Sequence, residues 1–133
     1  MTLLWLKADS ITGVASGDAV STWPDSSGSG RNATQSTPNK QPVFSNTGVG
    51  PASVFFDGLD KLMEVEHSPF FNTEEFTVFC VAKSNGTGTQ PVFSSVEGAT
   101  GSNNANGFAV VMDLSNKKAI GFWNEGGATD NVT

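Results

Sequence analysis

Apolar residues in this chain come in short runs, among them Leu3-Leu4-Trp5-Leu6, Val43-Phe44 and Val54-Phe55-Phe56, each soon stopped by Asp, Asn, Ser or Gly. Short apolar or alternating runs closed by turn residues predict β-strands rather than helices. The expected strands cover residues 3–8, 20–23, 42–45, 53–57, 61–66, 76–83, 91–96, 108–114 and 118–123. Residues 76–83 carry Phe76, Val78, Cys80 and Ala82 on one face and Phe79 and Val81 on the other. An apolar pattern on both faces belongs in the middle of a sheet that is covered on both sides. Residues 108–114 follow the same rule, and Ser115-Asn116-Lys117 then predicts a hairpin into residues 118–123. Helical spacing is confined to one turn around Pro69-Phe70-Phe71-Asn72. The segments 84–90 and 98–107, rich in Gly, Asn, Ser and Thr, read as surface loops suited to ligand contact.

Composition sharpens this picture. The 133 residues suffice for a two-layer core in one domain, residues 1–133. Ten Phe and three Trp exclude a disordered chain, while fifteen Gly suit turns with positive φ. No run approaches the ~18 apolar residues of a membrane-spanning helix, so no membrane partner is expected. The net charge is −6, and the seven bases are scattered, with only Lys117 and Lys118 adjacent. Nucleic-acid binding needs a clustered basic face and is not expected. Cys80 is the only cysteine, which excludes an internal disulfide and predicts a small buried hydrophobe in the apolar strand.

The most informative stretch is Trp23-Pro24-Asp25-Ser26-Ser27-Gly28-Ser29-Gly30, set between Leu3-Leu4-Trp5-Leu6-Lys7-Ala8-Asp9 and Phe55-Phe56-Asp57-Gly58-Leu59-Asp60. Phe76-Thr77-Val78-Phe79-Cys80-Val81-Ala82-Lys83, Val92-Phe93-Ser94 and Gly107-Phe108-Ala109-Val110 follow in order. Taken together, the ordered set resembles the laminin-G-like, concanavalin A-like lectin-glucanase jelly-roll family along nearly the whole chain. The resemblance implies an all-β fold, an antiparallel β-sandwich, and recognition rather than catalysis. It also implies further strands beyond Asp130-Asn131-Val132-Thr133, so the sandwich is expected to be incomplete at its C-terminal end, with the rest supplied by a longer polypeptide or a neighbour.

Candidate chemistry is sparse. Asp57-Gly58-Leu59-Asp60 places two carboxylates on one corner, and Ca²⁺ favours such oxygen donors. Sandwiches of the resembled family hold Ca²⁺ in loops of this kind, which makes Asp57 and Asp60 the candidate metal ligands. The alternative is that Asp57 caps turn amides; Asp25 is read the same way. Glu64 and Glu66 share a strand face at roughly 6.6 Å, near glycosidase carboxylate spacing. The family's Glu-x-Asp-x-x-Glu motif is missing, however, and His67 is the only histidine, so no enzyme is expected. Trp5, Trp23 and Trp123 could stack on sugars. Trp5 and Trp23 fall inside strand patterns and read as core, which leaves Trp123, Asn124, Asn103 and Asn104 as the candidate ligand-binding residues.

The expected function is a non-catalytic surface recognition or adhesion module for carbohydrate or protein. Because Met1 leads straight into an apolar run with no export signal, the favoured setting is a phage virion surface, in capsid decoration, tail or fibre. The alternatives are a carbohydrate-binding module excised from a bacterial cell-surface or secreted protein, and, more remotely, a glycan hydrolase.

Overall fold

The computed structural model describes residues 3–66, 77–84, 89–97, 106–113, 118–123 and 129–131. These form an all-β protein of small antiparallel sheets, with two 3-10 turns and no α-helix among the described residues. The chain divides into two compact units, Met1–Glu74 and Glu75–Thr133.

In the first unit, β1 (Thr22–Trp23), β2 (Ala33–Thr34) and β5 (Glu64–Val65) form one sheet in the order β1-β2-β5. The strands β3 (Val43–Ser45) and β4 (Ser53–Phe55) form a second, with Phe44 opposite Val54. Ile11, Val20 and Phe44 are buried together, and Val14, Trp23, Ala52, Val54 and Met63 pack around them. Val20 is held there by its N–H, which donates to the Pro42 carbonyl at 2.8 Å. Among the described residues of this unit Gln35 is the buried polar one, and it is satisfied: its Nε2 donates to the Leu62 carbonyl and its Oε1 accepts from the Thr37 N–H. A buried amide with both ends bonded costs little and fixes register between the segments it joins.

The expected strand over residues 3–8 is absent. Leu6 makes a single antiparallel bridge to Asp25, and the chain then turns through a 3-10 turn at Ala8–Ser10. The cause is local: the Lys7 carbonyl accepts from the Ser10 N–H at 3.1 Å, the Ser10 hydroxyl at 2.7 Å and the Trp23 indole at 2.7 Å. A carbonyl committed to those donors is not offered to a ladder.

In the second unit, β6 (Thr89–Glu97), β7 (Asn106–Asp113), β8 (Lys118–Trp123) and β9 (Thr129–Asn131) form a meander in the order β6-β7-β8-β9. The hairpin expected between β7 and β8 is present, with Asp113 opposite Lys118. The ladder slips by one residue between Pro91 and Phe93, a bulge where a proline without an N–H is tolerated. Val110 is buried in this sheet.

The central strand expected over residues 76–83 is not formed within its described part. Residues 77–84 pair with no strand, and Phe79 and Val81 stand 94% and 104% exposed. Cys80, expected to be buried, is exposed. Strand propensity describes fit to a partnered, pleated surface; without a ladder neighbour the same residues gain nothing from it. The single turn expected at residues 69–72 lies outside the described residues.

Candidate functional site

Among the described residues the densest polar assembly is the loop that carries the Trp-x-Asp-x-Ser motif. Asp25 is its centre. Its Oδ1 accepts from the Trp5 N–H at 3.0 Å and the Ser27 N–H at 2.9 Å. Its Oδ2 accepts from the Ser27 hydroxyl at 2.8 Å and the Arg31 N–H at 3.1 Å. Its own N–H donates to Asn32 Oδ1 at 2.9 Å. Around this core the Ser26 N–H donates to the Trp5 carbonyl, the Ser29 N–H to Ser27 Oγ, and Arg31 Nη1 to the Leu3 carbonyl. Burial acts to raise the Asp25 pKa, but the donors from Ser27, Trp5 and Arg31 outweigh it and bring the value from 3.8 to about 2. Asp25 therefore serves to lock the loop onto the first segment of the chain.

That lock fixes two tryptophans in different states. Trp23 is half-buried against the core, as expected, and its indole N–H is spent on the Lys7 carbonyl. Trp5, read from the sequence as a core residue, is 53% exposed. The reason is the bridge to Asp25: it holds the Trp5 backbone against the loop and leaves the ring outside. The Lys7 ammonium lies 5.0 Å from the ring centroid, a cation–π contact.

The Asp57 corner is a second polar assembly. Asp57 Oδ1 accepts from the N–H groups of Leu59 at 3.0 Å, Asp60 at 3.4 Å and Lys61 at 3.3 Å. The Leu59 amide first, then those of Lys61 and Asp60 and the Lys61 charge, hold the Asp57 carboxyl below its ordinary range against an opposing effect of burial. Lys61 Nζ reaches across to the carbonyls of Asn39 and Gln41, anchoring the corner. Asp60 is exposed and contributes its amide to the turn. Among the described residues no group of three or more His, Cys, Asp or Glu side chains comes together. Among the described residues the corner offers two carboxylates, one of them already engaged with amides, fewer side-chain oxygens than the shell that Ca²⁺ takes.

Of the remaining candidates, Trp123 ends β8, while Asn103, Asn104 and Asn124 lie outside the described residues. Glu64 and Glu66 are exposed at β5, an edge of its sheet; His67 lies outside the described residues. The exposure of Trp5 has no mark in the local sequence, because the Asp25 carboxylate that captures its amide lies twenty positions away. Comparison with protein-family models, with curated proteins and with solved structures found no match for this chain.

Proposed function

We propose that this protein is a non-catalytic recognition module of the laminin-G-like, concanavalin A-like jelly-roll type, binding carbohydrate or another protein at a surface. The observation that carries this reading is the Asp25 loop. The motif on which the family resemblance rests is used as a scaffold, with the Asp25 carboxylate accepting from the amides of Trp5, Ser27 and Arg31 and from the Ser27 hydroxyl. Such a rigid polar loop presents neighbouring side chains to solvent, which is what a binding face needs. The small antiparallel sheets agree with a sandwich.

The setting we propose is a larger assembly, such as a phage virion, in which other chains cover part of the surface. Phe79 and Val81 in the second unit, and Leu59 in the first, are at least 90% exposed, and apolar side chains in that state favour coverage by a partner. Calcium enters this reading only through Asp57 and Asp60: a melting temperature raised by CaCl2 and lowered by EDTA would support that pair as ligands, and an indifferent one would remove them.

The deciding experiment is retention of the purified chain on a broad glycan array and on immobilised bacterial surface extract. Saturable retention on either supports the module. Hydrolysis of an arrayed glycan, abolished by Glu64→Gln, would replace the recognition reading with an enzyme.

A further inference from the structure

We infer that Trp5 is a stacking platform for a neutral pyranose glycan, a deepening that rests on the recognition reading above. Three observations converge on it. Trp5 is 53% exposed although its backbone is fixed at both polar groups: the N–H donates to Asp25 and the carbonyl accepts from Ser26. Exposure of a large aromatic on a mobile strand end would be unremarkable; on a backbone held at both polar groups the ring is left only its own side-chain torsions, which lowers the cost of ordering it on a ligand. Among the described residues the Trp5 indole N–H has no acceptor, whereas that of Trp23 is satisfied at 2.7 Å. Trp23 is thus a packing residue, whereas Trp5, with the Lys7 ammonium over its ring, keeps its indole donor and about half of its surface for something outside the chain.

The chemistry of the surroundings selects the ligand class. A pyranose with its ring C–H groups on one face matches an indole face, and its hydroxyls can accept from the indole N–H and from the Lys7 ammonium lying 5.0 Å from the ring centre. A polyanionic glycan would meet a chain of net charge −6, whose long-range field opposes it. Sugars with equatorial hydroxyls, such as β-linked glucose or N-acetylglucosamine, offer the flattest apolar face. The inference therefore commits to neutral β-linked oligosaccharides.

The test is calorimetric titration of the full chain with cellotetraose, chitotetraose and, as the anionic comparison, a heparin tetrasaccharide. Trp5→Ala and Trp123→Ala are run beside the wild type, with near-UV CD to confirm that both variants fold. The Trp5 backbone amide survives the substitution, so the Asp25 loop is retained. Binding of a neutral tetrasaccharide that weakens by about tenfold or more in Trp5→Ala and persists in Trp123→Ala supports the platform. Should Trp5→Ala fail to fold, Trp5→Phe gives the same reading, because it keeps a stacking face and removes the indole donor; affinity between wild type and none is then expected, and unchanged affinity overturns the role given to Trp5. Binding that is lost in Trp123→Ala but intact in Trp5→Ala overturns this inference and leaves sugar recognition standing. Binding of heparin alone overturns the neutral class, and no binding of any tetrasaccharide overturns the inference together with the carbohydrate arm of the proposed function.

Discussion

Asp25 accepts four hydrogen bonds with one carboxylate, which makes it the residue where charge, loop and exposed ring meet. Asp25→Asn keeps one acceptor oxygen and removes the charge, so the loop is expected to lose about 1–3 kcal/mol. The pH dependence follows from the shift. The carboxyl titrates at about 2 in the folded chain and near 3.8 otherwise, so the unfolded state binds more protons in between. Its stabilisation is complete above pH 3.8 and drains as pH falls through the folded value of about 2, and Asp57 acts in the same direction. Urea midpoints measured from pH 6 to pH 2 should show the gap between wild type and Asp25→Asn closing as acid is added; a gap independent of pH would mean that the carboxylate charge is not the source. Cys80 offers a second test at this scale. It is exposed, yet the protein around it still pushes the thiol pKa up through burial. The folded chain should therefore react with a thiol reagent to completion without denaturant, more slowly than free cysteine near neutral pH and at a rate that is still climbing where that of free cysteine has levelled off. Protection until urea is added would return Cys80 to the interior.

Among the elements, the Asp57 corner depends on backbone conformation as much as on hydrogen bonds. Gly58 has φ +75°, and a Cβ built there meets no atom within 4 Å, so a substitution is opposed by the left-handed backbone alone. Gly58→Ala should cost about 1–2 kcal/mol and Gly58→Asn less, read as a shift in denaturation midpoint; equal costs would mean that the corner relaxes. The elements also show what the sequence made legible. Residues 118–123 were identified to the residue, and the strands at 43–45, 53–55, 64–65, 89–97 and 106–113 within a few positions, because apolar runs bounded by turn residues mark them. The two-residue β2 at Ala33–Thr34 and the three-residue β9 at Thr129–Asn131 were missed, since neither contains enough apolar alternation to register. The strand expected over residues 3–8 failed for a different reason. Its fate is decided by Ser10, Trp23 and Asp25, partners up to twenty positions away, and local pattern carries no information about them. Asp57 as a turn cap was legible from Asp-Gly alone; Trp5 as an exposed ring was not.

For the whole molecule, charge and apolar exposure oppose each other, and pH separates them. At neutral pH the net charge of −6 opposes association of copies through Phe79, Val81 and Leu59, which stand in solvent. At the isoelectric point, near 4.5, that repulsion vanishes while Asp25, titrating at about 2, still holds its loop. Association at pH 4.5 should therefore occur between folded chains, driven by apolar contact rather than by unfolding. The double variant Phe79→Ser, Val81→Thr leaves the net charge unchanged and removes the most exposed apolar pair of its segment. Turbidity at pH 4.5 should fall in this variant while near-UV CD stays native in both proteins. Below pH 3 the chain is positively charged and should clear again, now with a weakened Asp25 loop. If turbidity at pH 4.5 is the same with and without the substitutions, Phe79 and Val81 are covered in solution. The support that their exposure lends to a partner-covered assembly would then fall away.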